Sequence, residues 1–303
     1  MTAKEPVHIC MGICTYKRPR LLDLALKSLQ NQIINEEIVC SIIVVDNDRE
    51  ESAKNIVSFH QKTSIIPIDY LVEPEQNISL ARNRAMKHAD GDFFAGMDDD
   101  EVANEGWLSG LYLTLKKYNV DGVLGPVIPS FEVPPPSWIN KGAYFLRKSF
   151  PTGTILTDPR HMRTGNFLLD KKIFHEKDLL FDPKFGRTGG EDVDFFKRMI
   201  ANRYAFVWCD EAIVREMIPP GRWKRSSLIK RGLLRGVANA SKARLLSPDS
   251  AKSFLATILY ALVVPFFFMF RHYAYMRYII KICDHSGKLL ARCGINLVKE
   301  RSI

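Results

Sequence analysis

The amino-terminal part of the chain repeats one pattern, a short apolar run followed by a segment with apolar residues at helical spacing. Residues 7–13 form such a run, and Pro19, which suits a first turn, then precedes apolar residues at helical spacing: Leu21, Leu22, Leu24, Ala25, Leu26 and Leu29. The pattern recurs. It predicts strands at residues 7–13, 40–45, 66–72, 93–97 and 122–127, and helices at residues 19–32, 52–61, 80–88 and 105–117.

Strands that alternate with helices predict the α/β class, with a mostly parallel sheet and right-handed crossovers. Ligands of such sheets bind beyond the carboxyl ends of the strands. Polar clusters follow three of the predicted strands, so we expect them to meet at one edge. They are Thr15, Tyr16 and Arg18; Asp46, Asn47 and Asp48; and Asp98, Asp99, Asp100 and Glu101.

The last of these clusters indicates a metal site. Four consecutive carboxylates at the end of a buried strand repel one another unless a cation or solvent screens them. A hard divalent ion, Mg²⁺ or Mn²⁺, is their natural partner. The cluster at Asp46 is less specific, because Asn and Asp also supply ordinary turn chemistry.

Charge and hydropathy distinguish the carboxyl-terminal part. The chain carries 43 Lys and Arg against 34 Asp and Glu, a net charge of +9 that suits nucleic acid, an anionic membrane surface or a phosphate-bearing ligand. Residues 215–252 hold ten of the basic residues and two acids, and residues 253–270 carry no charge. A basic segment beside an apolar one favours a membrane surface.

The apolar segment is short for a full span. At about 1.5 Å per residue a helix over residues 253–270 is about 27 Å long, against about 30 Å of hydrocarbon, and Pro265 interrupts it. We therefore expect a re-entrant or in-plane element; a helix buried in a soluble core or dimer interface is the alternative. Cations on both flanks predict that both stay cytoplasmic: Lys242, Arg244 and Lys252 before, Arg271, Arg277, Lys281, Lys288 and Arg292 after.

Other compositional signals agree with a cytoplasmic location. The six cysteines lie far apart except for one Cys-x3-Cys pair, which fits no usual metal spacing, and we interpret them as reduced thiols. Residues 1–7 are polar and lack the pattern of a secretion signal. We expect the catalytic part to remain inside the cell.

Five motifs occur in order over about residues 7–220. They are Cys-Thr-Tyr-Lys-Arg-Pro from Cys14, Val-Val-Asp-Asn-Asp from Val44, Asn77 with Ala81-Arg82-Asn83, Gly91-Asp92-Phe93 leading to Asp98-Asp99-Asp100, and Gly189-Gly190-Glu191-Asp192. Together they resemble the family 2 glycosyltransferases, which have the GT-A fold. Within that family the chain is similar to bacterial exopolysaccharide enzymes of the succinoglycan glucosyltransferase type, with which it shares Leu-Gly-Pro-Val and Gly-Gly-Glu-Asp segments.

The resemblance implies a role for each motif. Asp192 would be the catalytic base, Glu191 would position the acceptor, and Asp100 with Asp98 would hold the metal. The donor, UDP-sugar or dTDP-sugar, would have its base, ribose and diphosphate bound by Thr15, Tyr16, Arg18, Asp46, Arg82, Asp98 and Asp99. A carboxylate such as Asp46 can accept the imide N–H of uracil, and an aromatic ring such as that of Tyr16 can stack on the base.

One position departs from the family pattern. Many members carry a metal-binding His in a Val-His-Glu stretch, where this chain reads Val214-Arg215-Glu216. Because arginine does not ligate cations, either the metal keeps extra waters or Arg215 lies against the phosphates, and strict metal dependence is in doubt. Arg222 is a second candidate phosphate contact, with a solvated surface arginine as the alternative.

The acceptor region is less defined. Residues 128–157 read as a long loop, in which Trp138 either stacks on a sugar or holds its own loop, and Thr164, Gly165 and Asn166 can reach an acceptor. We divide the chain into a catalytic domain at residues 1–240 and a basic and apolar helical segment at 241–303 that associates with a membrane.

These features predict an inverting hexosyltransferase that acts on a polyprenyl-diphosphate-linked saccharide at the cytoplasmic side of a bacterial inner membrane. A nucleotidylyltransferase or a dehydrogenase is one alternative, although the sequence has neither a G-x-G-x-x-G nor a P-loop motif. A non-catalytic membrane-associated binding protein, including one for nucleic acid, is another. The carboxylate cluster argues against it, because it would repel a phosphate backbone.

Overall fold

The computed structural model describes residues 6–175, 180–238, 240 and 247–295. The chain forms two compact units, one of Met1–Ile128 with Arg147–Met217 and one of Pro129–Leu146 with Ile218–Ile303. The predicted domain boundary at residue 240 adjoins residues 241–246, which lie outside the described part. The division into a catalytic domain and a membrane-associating segment stays a prediction. The compact units have their boundaries earlier in the chain, after Ile128, Leu146 and Met217.

The strands and helices follow the predicted alternation through the first unit. All nine predicted elements are confirmed; their ends shift by a few residues, and the run at 122–127 divides at Gly125-Pro126 into the end of one strand and the start of the next. The strands are β1 Val7–Thr15, β2 Ile38–Asp46, β3 Ile68–Val72, β4 Phe93–Asp98, β5 Glu101–Ala103, β6 Gly122–Leu124, β7 Val127–Phe131, β8 Asn166–Asp170, β9 Phe206–Trp208 and β10 Val214–Ile218.

The helices of the first unit cover the sheet, and four of the helices in the described residues belong to the second unit. Those of the first unit are α1 Pro19–Gln30, α2 Lys54–Thr63, α3 Ile78–His88, α4 Trp107–Tyr118, α6 Lys171–Phe174 and α7 Glu191–Ala201. Those of the second are α5 Ser137–Gly142, α8 Arg225–Ala238, α9 Pro248–Phe270 and α10 His272–Arg292.

Seven strands form the central sheet in the order β3-β2-β1-β4-β8-β6-β9. The pairs β3–β2, β2–β1, β1–β4 and β6–β9 are parallel, as predicted, while β8 runs antiparallel between β4 and β6. In register, Thr15 is opposite Asp46, and Cys14 is opposite Asp98. The polar clusters therefore meet at one edge of the sheet.

Apolar side chains cover both faces of this sheet. Ile9, Met11 and Ile13 point into one core cluster, and Cys10 points into the other, as the alternation of a strand requires. Gly12 and Gly96 have no side chain because the rings of Phe94 and Phe167 occupy the space where a Cβ would stand.

The second unit contains the apolar segment. Helix α9 runs through Pro265 without a break over 23 residues, which is about 34 Å at 1.5 Å per residue and is longer than the sequence suggested. Its stretch Pro248–Phe268 has the length and composition to cross a membrane, and only 6% of this apolar stretch is buried. Large apolar side chains such as Leu255 and Leu262 face outward.

Candidate active site

Two carboxylates of the Asp-Asp-Asp-Glu segment are bound to the end of β1 and the loop that follows it. Asp98 ends β4, and Glu101 begins β5. The hydroxyl of Thr15 donates to Asp99 at 2.8 Å, and the guanidinium of Arg18 donates to Asp99 at 3.1 Å and to Asp100 at 3.3 Å. The structure therefore brings the first and third predicted clusters into direct contact.

Arg82 joins this cluster to the segment that contains Glu191 and Asp192. It donates from one guanidinium nitrogen to Asp98 at 3.0 Å and from another to Glu191 at 3.0 Å and Asp192 at 3.3 Å. Its side chain is only 12% exposed. Burial alone would lower the pKa of Arg82, but the charges of Asp192, Asp98 and Glu191 raise it above its ordinary value.

Helix α3 positions Arg82 because its start is well capped. The side chain of Asn77 accepts from the backbone N–H groups of Ser79 and Leu80. Asn47, in the second polar cluster, accepts from the Asn77 N–H at 2.9 Å and donates to the carbonyls of Glu73 and Glu75. The loop after β2 thereby holds the beginning of α3.

A glycine pair sets the position of Glu191 and Asp192. Gly189 and Gly190 have φ values of +85° and +97°, a region that side chains disfavour, and Gly190 is the residue before α7. The two acids occupy the first helical turn, where the helix dipole stabilises negative charge. Asp192 also accepts at 2.5 Å from the hydroxyl of buried Thr164. Burial and the neighbouring Asp192 raise the pKa of Glu191.

Negative charge exceeds positive charge at this edge. Burial raises the pKa of Asp99, and burial with the charges of Asp98 and Asp99 raises that of Asp100 to about 6. Glu101 is fully buried with a raised pKa, and within the described residues its Oε1 has no hydrogen-bond partner. Arginines contact these acids and form a charge network with them. The network consists of three arginines (Arg18, Arg82 and Arg147) and seven acids (Asp98, Asp99, Asp100, Glu101, Glu191, Asp192 and Glu216).

This donor set fits a hard divalent cation, because it consists of carboxylate oxygens whose negative charges repel one another. Asp98 keeps a 41% exposed side chain, and Asp100 keeps a smaller exposed part. The two predicted ligands are close enough for the charge of one to raise the pKa of the other. The residues present are therefore compatible with Mg²⁺ or Mn²⁺.

Strand β10 places Glu216, rather than Arg215, beside this cluster. Arg147 donates to Glu216 at 2.7 Å, and the charge of Glu216 contributes to the raised pKa of Asp100. Arg215 is exposed, and adjacent residues of a strand point to opposite faces. Arg215 stands where many family members have a metal-binding His. Its exposed position favours a cation that keeps extra waters over an arginine that contacts the phosphates.

Asp46 has a different setting from the one expected of a base contact. Its side chain is fully buried, and it accepts from the N–H groups of Ala53 at 2.7 Å and Asp48 at 3.1 Å and from the Tyr70 hydroxyl at 2.9 Å. A contact with uracil would have to use the acceptor position that these three bonds leave, on a side chain that is fully buried. Asp46 shapes the loop here, whereas Tyr16 is half-buried and has the ammonium group of Lys17 over its ring. The base-binding role of both residues stays a prediction.

The remaining candidates divide between the two units. In the first unit, Asn166 is buried, accepts from the Trp107 ring N–H and donates to two backbone carbonyls. Gly165 leaves room for Glu101, whose Oε1 is 2.5 Å from where a Cβ would stand.

In the second unit, Trp138 packs on Tyr144 and His272, which favours the interpretation that it holds its own segment. Residues 128–157 contain part of β7 and all of α5, so they are not one long loop.

Arg222 lies in a short 3-10 turn, Pro220–Trp223, of the second unit. Its predicted phosphate contact stays a prediction. No sequence pattern indicated Arg147 as a member of the charge network, and Glu216 was noted only as part of the Val214-Arg215-Glu216 stretch. An isolated arginine in an irregular segment has no pattern that points to a distant carboxylate.

Comparisons with known proteins agree with this geometry. The model of the family described as Glycosyl transferase family 2 matches residues 10–176. The succinoglycan biosynthesis protein ExoM of Rhizobium meliloti (strain 1021) is 34% identical over 230 residues, which cover 75% of this chain and 72% of that protein. The chondroitin synthase of Pasteurella multocida (strain Pm70) is 24% identical over 255 residues, which cover 72% of this chain but 26% of that protein.

A solved structure shows the same fold. S. aureus TarS 1–349, in complex with UDP-GlcNAc, aligns with a TM-score of 0.57 and 15% identity over 95% of this chain and 92% of that one. The predicted α/β architecture of the GT-A type is confirmed.

The bridging arginine makes the first testable prediction. Arg82→Lys should lower the free energy of unfolding by about 2–4 kcal/mol and abolish transfer, because an ammonium group cannot span carboxylates of two segments and leaves buried charge unpaired. Arg84→Lys is the control, since Arg84 is on the same helix and makes one exposed ion pair with Glu73. Denaturant unfolding and turnover of both variants test this. Equal effects of the two substitutions would contradict it.

Proposed function

We propose a reaction for this chain, which belongs to glycosyl transferase family 2 and is a glycosyltransferase of the GT-A fold. The chain moves a hexosyl group from a UDP-sugar to a hydroxyl of a lipid-linked saccharide and inverts the anomeric centre. It does so at the cytoplasmic side of a bacterial membrane, in the synthesis of a surface polysaccharide. The observation that carries this proposal is the Arg82 bridge, which places Asp98 beside Glu191 and Asp192 at one sheet edge.

The donor binds along the edge formed by the ends of β1, β2 and β4. Tyr16 offers a ring to the base, and Arg18 stands beside Asp99 and Asp100. A divalent cation held by Asp98 and Asp100 would neutralise charge on the departing diphosphate. The similarity in fold to a transferase solved with UDP-GlcNAc supports a UDP-sugar as donor.

Asp192 serves as the base. Its bonds with Arg82 and Thr164 both end on Oδ1, which leaves Oδ2 to accept the proton of the acceptor hydroxyl. The acceptor oxygen then bonds to the anomeric carbon of the donor sugar as the bond from this carbon to the diphosphate oxygen breaks. This single displacement inverts the anomeric centre. Glu191, with its raised pKa, positions the acceptor hydroxyls.

The acceptor and the location follow from the second unit and from the relative in succinoglycan biosynthesis. The likeness to ExoM supports polysaccharide synthesis. The outward apolar side chains of α9 suit a hydrocarbon environment better than water. A lipid-linked acceptor would then reach the enzyme at the membrane surface.

The function is tested by nucleoside diphosphate release from a panel of UDP-, dTDP- and GDP-sugars. Wild type should release diphosphate from one of them, and Asp192→Asn should lower kcat by about 10²- to 10⁴-fold with donor KM little changed, because a base is lost rather than a donor contact. Asp194→Asn is the matched control, since Asp194 shares the first turn of α7 but pairs with Arg198. Thr164→Val should give a smaller loss in kcat. Retention of full kcat by Asp192→Asn would exclude the assigned base.

Metal binding gives a separate prediction. After treatment with a chelator, Mn²⁺ should raise the melting temperature of wild type and restore turnover, because it relieves repulsion among the clustered carboxylates. Asp100→Asn should lose most of the shift, whereas Asp158→Asn, in an exposed pair with Arg160, should keep it. An equal shift in both variants would place the cation elsewhere.

Membrane association is tested with the exposed face of α9. The double substitution Leu255→Glu and Leu262→Glu should move the protein to the soluble fraction, because these side chains are 67% and 73% exposed and a charge in hydrocarbon costs several kcal/mol, about 2.5–3.5 each at the centre of a span. Leu113→Glu, at an exposed position of α4 in the first unit, is the control. Sedimentation of the double variant with membranes would contradict the proposal. These substitutions keep the packing of α10 on α8, which a deletion of residues 250–303 would remove.

A further inference from the structure

The amino-terminal end of β1 carries side chains of the kind that bind a transition metal. His8 and Cys10 are two residues apart on this strand, so they lie on the same face of the sheet. Asp90 reaches them from the loop between α3 and β4. Potential ligand atoms of the three residues lie within 4.8 Å of one another. An imidazole, a thiol and a carboxylate therefore converge in one cluster, which we call the His8 cluster.

The His8 cluster is distinct from the carboxylates of the active edge. His8 is near the start of β1 and Thr15 is its last residue, which separates the two by about 23 Å at about 3.3 Å per residue. The ligand types differ as well. The active edge offers carboxylate oxygens, whereas the His8 cluster adds sulfur and nitrogen, and these donors select a different cation.

The distances in the His8 cluster match a tetrahedral Zn²⁺ site. Zn–S bonds of about 2.3 Å and Zn–N or Zn–O bonds of about 2.0 Å place neighbouring ligand atoms about 3.3–3.6 Å apart. Oδ1 of Asp90 is 3.6 Å from Sγ of Cys10 and 3.6 Å from Nδ1 of His8. Sγ of Cys10 is 3.8 Å from Nε2, the other ring nitrogen of His8. A small rotation of this ring is therefore enough to direct all three side chains at one cation.

Neighbouring groups hold these ligands in place. Oγ of Ser41 is 2.9 Å from Nε2 of His8, which leaves Nδ1 on the side of Asp90. An oxygen partner for the second ring nitrogen is the usual support of a metal-binding His. Asp92 fixes the loop to β1, because its N–H donates to the His8 carbonyl at 2.8 Å and its carboxylate accepts from the His8 N–H at 3.2 Å. A Cβ at Gly91 would be only 2.8 Å from the same carbonyl, so glycine permits this close approach.

The cluster also has a route by which a cation can enter. Cys10 is fully buried, whereas the side chains of His8 and Asp90 are 30% and 84% exposed. Burial raises the pKa of the Cys10 thiol, so without a cation the thiol keeps its proton and donates to Asp90. A cation that arrives beside Asp90 would displace this proton to solvent and bind the thiolate. Water on the exposed side would be its fourth ligand.

We infer that His8, Cys10 and Asp90 form a Zn²⁺ site that joins the start of β1 to the loop before β4. The thiolate and the imidazole select Zn²⁺ over Mg²⁺ and Mn²⁺, which prefer oxygen ligands. Because the site exists only in the folded chain, the cation would stabilise the fold. The inference is independent of the proposed reaction, since the site lies at the opposite end of the strand.

The test titrates Co²⁺, a spectroscopic substitute for Zn²⁺, into the reduced full-length protein in excess Mg²⁺, which occupies oxygen ligands. A thiolate ligand gives a sulfur-to-cobalt charge-transfer band in the near ultraviolet. Wild type should show this band and saturate at a single Co²⁺, excess Zn²⁺ should remove it by displacing Co²⁺, and Cys10→Ser should lack it. Cys40→Ser is the matched control and should keep the band, since Cys40 is a buried cysteine on the other face of the same sheet.

A second pair of variants tests the site without changing a buried residue. Asp90→Asn should weaken Zn²⁺ binding at least about tenfold, because loss even of a residue that supports a ligand costs that much. It should also reduce the rise in melting temperature that Zn²⁺ gives wild type. Asp69→Asn is the control and should keep both, since Asp69 is an exposed acid that pairs with His88 in the same unit.

The outcomes decide between a built site and adventitious binding. A band lost in Cys10→Ser and kept in Cys40→Ser, with weaker Zn²⁺ binding in Asp90→Asn alone, would support the inference. The absence of a band in wild type, a band of equal strength in folded Cys10→Ser, or equal losses in Asp90→Asn and Asp69→Asn would overturn it. Melting temperatures without added metal show whether each variant folds. If Cys10→Ser does not fold, the comparison of Asp90→Asn with Asp69→Asn decides.

Discussion

The buried guanidinium of Arg82 is the interaction on which the active edge depends. Three carboxylates from two distant segments surround it, and none of them would tolerate the others closely without a cation between them. Its planar fork donates from two different nitrogens, one to each segment, a separation that the single nitrogen of a lysine does not span. The same residue therefore both compensates buried charge and sets the spacing between the carboxylates of β4 and those of α7.

The surrounding scaffold keeps this arginine in place with uncharged hydrogen bonds. Asn47 ties the loop after β2 to Asn77, and Asn77 caps the helix that carries Arg82. Asp46 uses its carboxylate within its own loop. Polar residues that the sequence suggests as ligand contacts therefore have two different roles at this edge. Some have carboxylate oxygens exposed to solvent, and others hold the backbone that positions those oxygens.

The clustered carboxylates explain why a hard cation fits this edge. Burial and the charges of Asp98 and Asp99 raise the pKa of Asp100 to about 6. A divalent cation at this position would relieve the repulsion among these carboxylates and would stabilise the folded chain.

The sequence by itself determined the alternation of strands and helices, the edge at which polar residues collect, and the motifs from Thr15 to Asp192, because periodicity and turn chemistry are local properties. It did not reveal the antiparallel insertion of β8, the buried state of Asp46, the unbroken course of α9 through Pro265, or the partners of Arg82. Arg82 meets Glu191 across 109 positions of sequence, and Arg147 meets Glu216 across 69. Such pairs form only when the packed sheet and helices bring distant segments together. Tertiary structure alone decides them, because no local sequence pattern indicates which charged residue will lie opposite another.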